Sequence, residues 1–163
     1  MQLFTPSHNM QKHFTFLYKK ALCSRSATSK HSCGIVSGGR IIYFAVNQPW
    51  RNMVDGQRIG CFHSEAAALR KCVQSEKKGK TCTHVRRKMK RKSLIVVRAN
   101  LNNANEQAYS MSAPCRDCIR YIRKCGISKI YFSTNDDRSR IAKVNARDFK
   151  NDHVSWGRRV FKT

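Results

Sequence analysis

The sequence predicts an α/β protein in which helices and strands alternate along a single chain of 163 residues. Three segments place apolar residues at steps of three and four, the spacing of one helix face: residues 8–24, 63–77 and 114–125. Five segments have the short apolar runs of strands, the last being the weakest: residues 31–36, 40–46, 93–99, 127–133 and 140–149. A chain of this length is expected to form one domain, which we assign to residues 1–163.

The first helix and the hairpin after it have the clearest local signals. One side of the helix carries Met10, Phe14 and Leu17, so it has an apolar face to bury. The next two strands are separated by a turn that contains Gly38 and Gly39. Glycine readily adopts the positive φ that a tight hairpin turn requires, so we expect these strands to pair.

The second half of the chain repeats the alternation of helix and strand. The strand over 93–99 is apolar enough to be central in the sheet. The third helix is expected to begin with Pro114, whose missing N–H has no partner in a first turn anyway, and to end at Gly126. Only a turn fits between the last two strands, so we expect them to be antiparallel.

The segment 77–92 contains nine Lys and Arg and no Asp or Glu. We expect a segment so charged to bury no face, and predict an exposed loop or a frayed helix end. The same run is also typical of a solvated loop or of a nuclear-localisation patch. Residues 153–163 form a short basic tail. Several cations of the segment 77–92 are candidates for nucleic-acid contact: Arg86, Arg87, Lys88, Lys90, Arg91 and Lys92.

The composition restricts the class of protein. The chain carries 33 Lys and Arg against 9 Asp and Glu, a formal net charge of +24, which favours polyanionic partners. Its hydrophobic content of 40% excludes a disordered basic tail. The apolar runs are far too short for a membrane span, and no membrane partner is expected. Without a signal peptide we expect an intracellular protein, with cytoplasm, nucleus and virus all open.

Two short motifs, each at the predicted start of a helix, carry the chemistry. The first places His63 two residues before Glu65, and the second has Pro114 followed by Cys115 and Cys118. Either motif alone occurs by chance, but together and in this order they match the H-x-E…P-C-x-x-C signature of zinc-dependent nucleobase deaminases. The other six of the eight cysteines have no such spacing and are expected to be core or surface thiols.

The spacing of these residues suits a catalytic metal. Cys115 and Cys118 are three residues apart, so both lie on one helix face, and a helix start favours thiolates. With His63 they supply three ligands, which leaves a fourth position open for water. Glu65 is the candidate to carry a proton from that water to the departing amine. A spacing of two turns side chains about 200° apart in a helix, so His63 must lie at the helix edge.

Residues 62–66, Phe-His-Ser-Glu-Ala, and 112–118, Ser-Ala-Pro-Cys-Arg-Asp-Cys, resemble the cytidine and deoxycytidylate deaminase superfamily, most closely its CMP/dCMP-type members. The resemblance covers about residues 10–135. It implies a three-layer, cytidine-deaminase-like fold, with a mixed five-stranded sheet flanked by helices. It also implies one Zn²⁺ per chain, bound by His63, Cys115 and Cys118, and a proton shuttle at Glu65.

The resemblance further implies contacts with a cytosine nucleotide or nucleoside. Asn47 matches an Asn that hydrogen-bonds the sugar, and the backbone around Ser64 and Ser112 would hold the edge of the base. Family members commonly have Ala where Ser64 stands. Further candidates are two aromatic residues, which would either stack on a base or anchor their loops, and two cations for a nucleotide phosphate: Trp50, Tyr109, Arg51 and Arg58.

The function implied is conversion of the cytosine base of CMP, dCMP or cytidine to uracil with release of ammonia. The charge leaves two alternatives open: a deaminase acting on single-stranded nucleic acid or RNA, and a basic nucleic-acid-binding or packaging protein that keeps the fold. Adenine deamination and a homo-oligomer also stay open. A basic stripe on the third helix, expected to run outward from the site, favours a phosphate backbone: Arg116, Arg120 and Arg123.

Overall fold

The computed structural model describes residues 2–3, 5–26, 29–49, 52–54, 57–59, 63–101, 109–135 and 141–154. The helices in these ranges are α1 (His8–Leu22), α2 (Ser64–Lys77), α3 (Cys82–Met89) and α4 (Arg116–Cys125). The strands are β1 (Gln2–Leu3), β2 (Lys30–Ser37), β3 (Arg40–Val46), β4 (Asn52–Val54), β5 (Gln57–Ile59), β6 (Ser93–Ala99), β7 (Tyr109–Ser110), β8 (Lys129–Ser133) and β9 (Ile141–Asn145). Within the described residues, no helix combines the length and apolarity needed to cross a membrane.

A mixed sheet forms the centre of the fold, with the strand order β1–β9–β8–β6–β2–β3. Strands β6 and β8 pair in parallel, and the other described pairs of this sheet are antiparallel, including β8 with β9 as predicted. The five predicted strands are β2, β3, β6, β8 and β9. No sequence pattern predicts the two-residue strands β1 and β7 or the separate β4–β5 pair, because such short strands depend on tertiary neighbours.

Helices cover both faces of this sheet and produce the predicted three layers. Alternate residues of β6 divide between the two faces. Leu94 and Val96 belong to the core under α2, α3 and α4, whereas Ile95 and Val97 belong to the core under α1. Because β6 is buried on both faces, its nearly continuous apolar run is what a central strand requires. The α/β fold with a mixed sheet is therefore confirmed.

The expectation of an exposed loop or frayed helix end over 77–92 is wrong. Residues 82–89 form helix α3, and its Val85 and Met89 are buried. These two residues are four apart, so they share one narrow apolar face. Thr81 caps the helix, since its side chain accepts a hydrogen bond from the backbone N–H of His84. This apolar face is difficult to recognise among the surrounding charged residues, but two buried side chains are enough to pack a helix of eight residues.

Helix α4 begins at Arg116 rather than at Pro114, which also corrects the prediction. Cys115 is the N-cap residue with an extended backbone, and Pro114 precedes the cap. The other end is as predicted, because Gly126 adopts a left-handed conformation and its N–H donates to the Ile122 and Arg123 carbonyls. The remaining differences are at element ends: α1 stops at residue 22, β2 covers 30–37, and β8 and β9 cover 129–133 and 141–145.

The C-terminal end of α4 lies against α3. A Cβ atom at Gly126 would lie 2.8 Å from Arg86 Cγ and 3.0 Å from the Arg86 carbonyl oxygen. Gly79, between α2 and α3, also has a positive φ, of 67°, but a Cβ there would meet nothing within 4 Å. The two glycines therefore separate the cost of a left-handed backbone from the cost of a crowded contact.

We expect Gly126→Ala to lower the free energy of unfolding by about 2 kcal/mol or more, and Gly79→Ala by about 1 kcal/mol. The left-handed backbone penalises both variants, whereas contact with Arg86 penalises only the first. Urea unfolding of both full-length variants beside the parent protein measures the difference. Equal losses would contradict the close packing of α4 against α3.

Candidate active site

The site lies where two helices begin. Strands β6 and β8 are parallel, so their carboxyl ends share one edge of the sheet, and the chain reaches α4 after leaving β6 at that edge. His63 is the N-cap residue of α2, and Cys115 is the N-cap residue of α4. Neither side chain makes a capping hydrogen bond to its own helix. Both are therefore available for another partner.

Three donor atoms converge at this point. His63 Nδ1 lies 3.2 Å from Cys118 Sγ and 3.5 Å from Cys115 Sγ. All three donor atoms lie within 4.8 Å of one another. In the part of the chain that the structure describes, they form the one group of His, Cys, Asp and Glu side chains close enough to hold a metal ion. Both cysteines are buried, which separates the group from bulk water.

The protonation of the three groups reflects their contacts. A hydrogen bond from Cys118 and a second from His63 lower the pKa of Cys115 to about 4, against the opposing effect of burial. The hydrogen bond to Cys115, together with burial and the charge of Glu65, raises the pKa of Cys118 well above its usual range. Burial alone would lower the pKa of His63, but Cys115 and Glu65 raise it to about 9. Without metal, the group is one thiolate, one thiol and one imidazolium.

Glu65 lies beside these donors and is buried. Its Oε2 accepts a hydrogen bond from Ser64 Oγ at 3.1 Å, and Glu65 also shares a hydrogen bond with Cys118. The spacing of two between His63 and Glu65 causes no conflict, because His63 precedes the regular helix and has an extended backbone, with ψ of 144°. The imidazole and the carboxylate can therefore converge on one place.

The donor set fits a zinc ion. One imidazole nitrogen and two sulfurs are typical zinc ligands, and three protein ligands leave one position for water or substrate. When bound, the zinc would supply water of lowered pKa for attack on a carbon centre. The Glu65 carboxylate is close to this position without being one of the three donors.

Residues 8–134 match the family described as the cytidine and deoxycytidylate deaminase zinc-binding region. Since the match spans most of the chain, the protein belongs to this family of zinc-dependent deaminases. The family's zinc-binding region fits one Zn²⁺ per chain, and the three converging donors are close enough together to hold it.

Solved structures with this fold cover most of the chain. The cytidine deaminase of Burkholderia pseudomallei has a TM-score of 0.56 at 14% identity, over 88% of this chain and 95% of that one. The dCMP deaminase of cyanophage S-TIM5, solved with dCMP and dUMP, has a TM-score of 0.53 at 16% identity, over 80% of this chain and 85% of that one. At such identities the likeness shows the fold alone. No curated protein is a significant match to the chain.

Asn47 is buried and holds neighbouring backbone in place. Its amide oxygen accepts hydrogen bonds of 2.8 Å from Ser24 Oγ and from the His31 N–H, and its amide nitrogen donates to the Ser29 carbonyl at 2.9 Å. One amide N–H is left over from these bonds. The predicted sugar contact stays a prediction that depends on this single donor.

The two predicted serines have internal partners as well. Ser64 is fully buried and its hydroxyl is bonded to Glu65. Ser112 ties the loop before the cysteines to the sheet: its hydroxyl donates to the Val96 carbonyl at 2.8 Å, and its N–H donates to the Ser133 carbonyl at 2.9 Å. Both serines thus fix the walls of the site, and their backbone contacts with a base stay predictions.

Tyr109 does not face the site. Its ring makes edge-to-face contacts with Phe14 and Tyr18, at 6.2 and 5.4 Å between centroids, in the core under α1. This packing favours its alternative role as a loop anchor over stacking on a base, which stays a prediction. Trp50 and Arg51 lie outside the described residues. Arg58 lies in β5, and its contact with a phosphate stays a prediction.

Two residues of the sheet, His31 and Arg98, are not among the site residues predicted from the sequence. His31 and Arg98 are direct partners across β2 and β6, so their side chains lie on one face. It is the face of Cys33 and Val96, which α2 and α4 cover. The alternation of β2 would have revealed this, because His31 is two residues before the buried Cys33.

The charges around His31 place it near the site. Burial is the main cause that lowers the pKa of His31 to about 4, so its ring is neutral at pH 7. The charges of Arg98 and His63 contribute to the shift, and Glu65 opposes it. Arg98 is half-buried and makes no ion pair with any described carboxylate. A cation therefore lies on the same face of the sheet as the zinc ligands.

The predicted basic stripe of α4 is not a continuous exposed surface. The Arg123 guanidinium donates hydrogen bonds of 2.6 Å to the Ala146 and Phe149 carbonyls, so it holds the segment after β9. Arg116 is half-buried, and its Nε has no hydrogen-bond partner among the described residues. Of the three arginines, Arg120 is the exposed one. For Arg123 the prediction is wrong, because its side chain is used inside the fold.

Zinc binding at pH 7 should release about two protons. At that pH, the metal-free protein has His63 as an imidazolium, Cys118 as a thiol and Cys115 as a thiolate. Zinc binds a neutral imidazole and two thiolates, so one proton leaves His63 and one leaves Cys118. The affinity should therefore rise about 100-fold per pH unit between pH 6 and 7. Calorimetry in buffers of different ionisation enthalpy counts the protons, and release of fewer than one would contradict the protonation described above.

Proposed function

We propose that this protein hydrolytically deaminates the cytosine base of a free nucleotide or nucleoside, giving uracil and ammonia. Membership of the deaminase family supports the reaction type. The observation that carries the proposal is Glu65, a buried carboxylate hydrogen-bonded to one of the three metal donors. A structural zinc site needs no carboxylate at this position, whereas a hydrolytic deaminase needs a group that moves protons.

The chain's residues divide the chemistry between them. His63, Cys115 and Cys118 hold the metal at the start of two helices. Glu65 accepts a proton from the attacking water and delivers it to the departing amine. Water adds to C4 of the base, the bond from C4 to the exocyclic amino nitrogen breaks, and ammonia leaves. The bond from Ser64 Oγ keeps the carboxylate oriented while it exchanges the proton.

Glu65→Gln should lower kcat by a factor of about 10³ or more while zinc stays bound, because proton transfer is lost and no ligand is removed. Glu76→Gln is the matched control, since Glu76 lies on the same helix but pairs with Lys88 and Lys92. It should keep the parent kcat. Ammonia release and zinc content measured together test this role, and full activity of Glu65→Gln would contradict it.

For the substrate we propose a nucleotide in preference to a nucleoside. Arg98 supports this choice, because its guanidinium is half-buried on the site's face of the sheet and lacks a described carboxylate partner. A phosphate is the anion that a cytosine nucleotide would offer it. His31 is the cross-strand partner of Arg98, and its neutral ring adds no second positive charge beside the guanidinium.

Arg98→Gln should therefore reduce kcat/KM for CMP or dCMP by about 10-fold or more and change that for cytidine little. The expected loss follows from removing one charge-assisted bond to the phosphate. Arg40→Gln is the control, since Arg40 is exposed at the turn end of the β2–β3 hairpin. A parallel loss on cytidine would show that Arg98 supports the fold of the site rather than phosphate binding.

A single-stranded polynucleotide is the second candidate substrate, favoured by the net charge of +24. The substrates are separated by assaying uracil formation from cytidine, CMP, dCMP and cytosine-containing oligonucleotides at two salt concentrations. With the nucleotide as substrate, KM should depend weakly on salt, because few phosphates are bound. Turnover confined to oligonucleotides, with a steep salt dependence, would overturn the proposal.

A further inference from the structure

Exposed cations crowd at the end of the molecule that carries α3. They come from the end of α2, from the loop that follows, from α3 and its turn into β6, and from the start of β8. Lys129 joins them because it is the partner of Ser93, the first residue of β6. We call this set the α3 surface, and each of its members is exposed: Lys77, Lys78, Lys80, Arg86, Arg87, Lys90, Arg91 and Lys129.

These charges have almost no acidic counterparts. Glu76 is the nearest carboxylate along the chain, and it is used by Lys88 and Lys92, each with a contact of 3.2 Å. Neither lysine belongs to the α3 surface. No Asp or Glu occurs between Lys77 and Lys92. The neighbouring Lys88 lowers the pKa of Lys80, so like charges are held close together here.

The α3 surface lies far from the zinc ligands. Arg86 contacts the cap at the C-terminal end of α4, and Cys115 caps its N-terminal end. Ten helical residues separate the two ends, about 15 Å. Helix α2 gives a second measure, since Glu65 is in its first turn and Glu76 near its end, about 16 Å apart. The seven residues of β6 span a similar length, about 20 Å.

Among its described residues, the α3 surface offers no large exposed apolar side chain for insertion into a bilayer. Val85 and Met89, the apolar residues of α3, are buried in the core, and Met89 Sδ lies 3.6 Å from Cys72 Sγ. A helix that binds membranes needs its apolar face free for lipid. A cluster of exposed cations instead suits phosphates, which Lys and Arg contact without reading the bases.

We propose that the α3 surface is a docking site for the phosphate backbone of a nucleic acid, separate from the deaminase site. The proposal does not depend on the substrate of the zinc site, because binding needs no turnover. It assigns the excess charge to a surface that holds a polynucleotide without directing it into the zinc site.

The test compares two variants of equal net charge. The first replaces four cations of the α3 surface, Arg86, Arg87, Lys90 and Arg91, with Gln. The matched control replaces four exposed cations that are not members of the α3 surface with Gln: Lys12, Lys19, Arg25 and Arg40. Binding of 20-nucleotide single-stranded DNA and RNA is measured by fluorescence anisotropy between 50 and 300 mM salt. The zinc content of each variant reports whether its site is intact.

The first variant should bind at least 10-fold more weakly at about 100 mM salt, and its log Kd should depend less steeply on log salt, by about three units for four phosphates. The control should change the affinity by less than threefold. Equal losses of affinity in both variants would overturn the proposal, because binding would then depend on net charge and not on the position of the cations. Stronger binding to phosphatidylserine vesicles than to either nucleic acid, abolished by the same four changes, would overturn it in favour of a lipid partner.

Lysine acetylation of the unmodified protein gives a second readout if the first variant fails to fold. A bound oligonucleotide should protect Lys77, Lys78, Lys80 and Lys90 several-fold, and leave Lys12 and Lys19 reactive. Uniform protection of all these lysines, or none at the α3 surface, would contradict the proposed location.

Discussion

The structure depends on the meeting of two helix N-termini at the carboxyl ends of a parallel strand pair. His63 and Cys115 cap α2 and α4 without bonding to their own helices, and Cys118 follows in the first turn of α4. The positive ends of two helix dipoles therefore lie beside the two sulfurs, where they favour the thiolate forms that zinc binds. Only a fold that brings these two helix starts together gives the three donors a common place. The parallel strand pair and the hydrogen bonds of Ser112 to Val96 and Ser133 hold the three donors in this place.

The motifs could be predicted from the sequence because spacing on a helix is a local property. The Cys115–Cys118 pair and the His63–Glu65 pair each need only a few residues to define them, and their order along the chain supplied the rest. The core strand β6 was equally clear, since burial on both faces leaves an apolar run. The antiparallel β8–β9 pair followed from the short turn between them.

The predictions that the structure corrects concern residues whose roles depend on tertiary contacts. Helix α3 carries many charges, yet Val85 and Met89 anchor it, and a narrow apolar face is easily overlooked among lysines. Tyr109 and Arg123 look like ligand-binding residues in isolation, but one packs on α1 and the other binds two backbone carbonyls. His31 was overlooked because its importance comes from its partner across the sheet, Arg98. Among the described cations, Arg98 lies on the site's face of the sheet, and the α3 surface lies near the opposite ends of α2 and α4.

The most direct test of this account is X-ray absorption at the zinc edge of the purified, zinc-loaded protein. Three ligands from His63, Cys115 and Cys118 predict one zinc per chain, with two sulfur neighbours and two lighter neighbours, one an imidazole nitrogen. Cys118→Ser should remove one sulfur from that shell, and the exposed Cys82→Ser should remove none. A shell of four sulfurs, or one of oxygens alone, would contradict the meeting of the two helix starts as the site of chemistry.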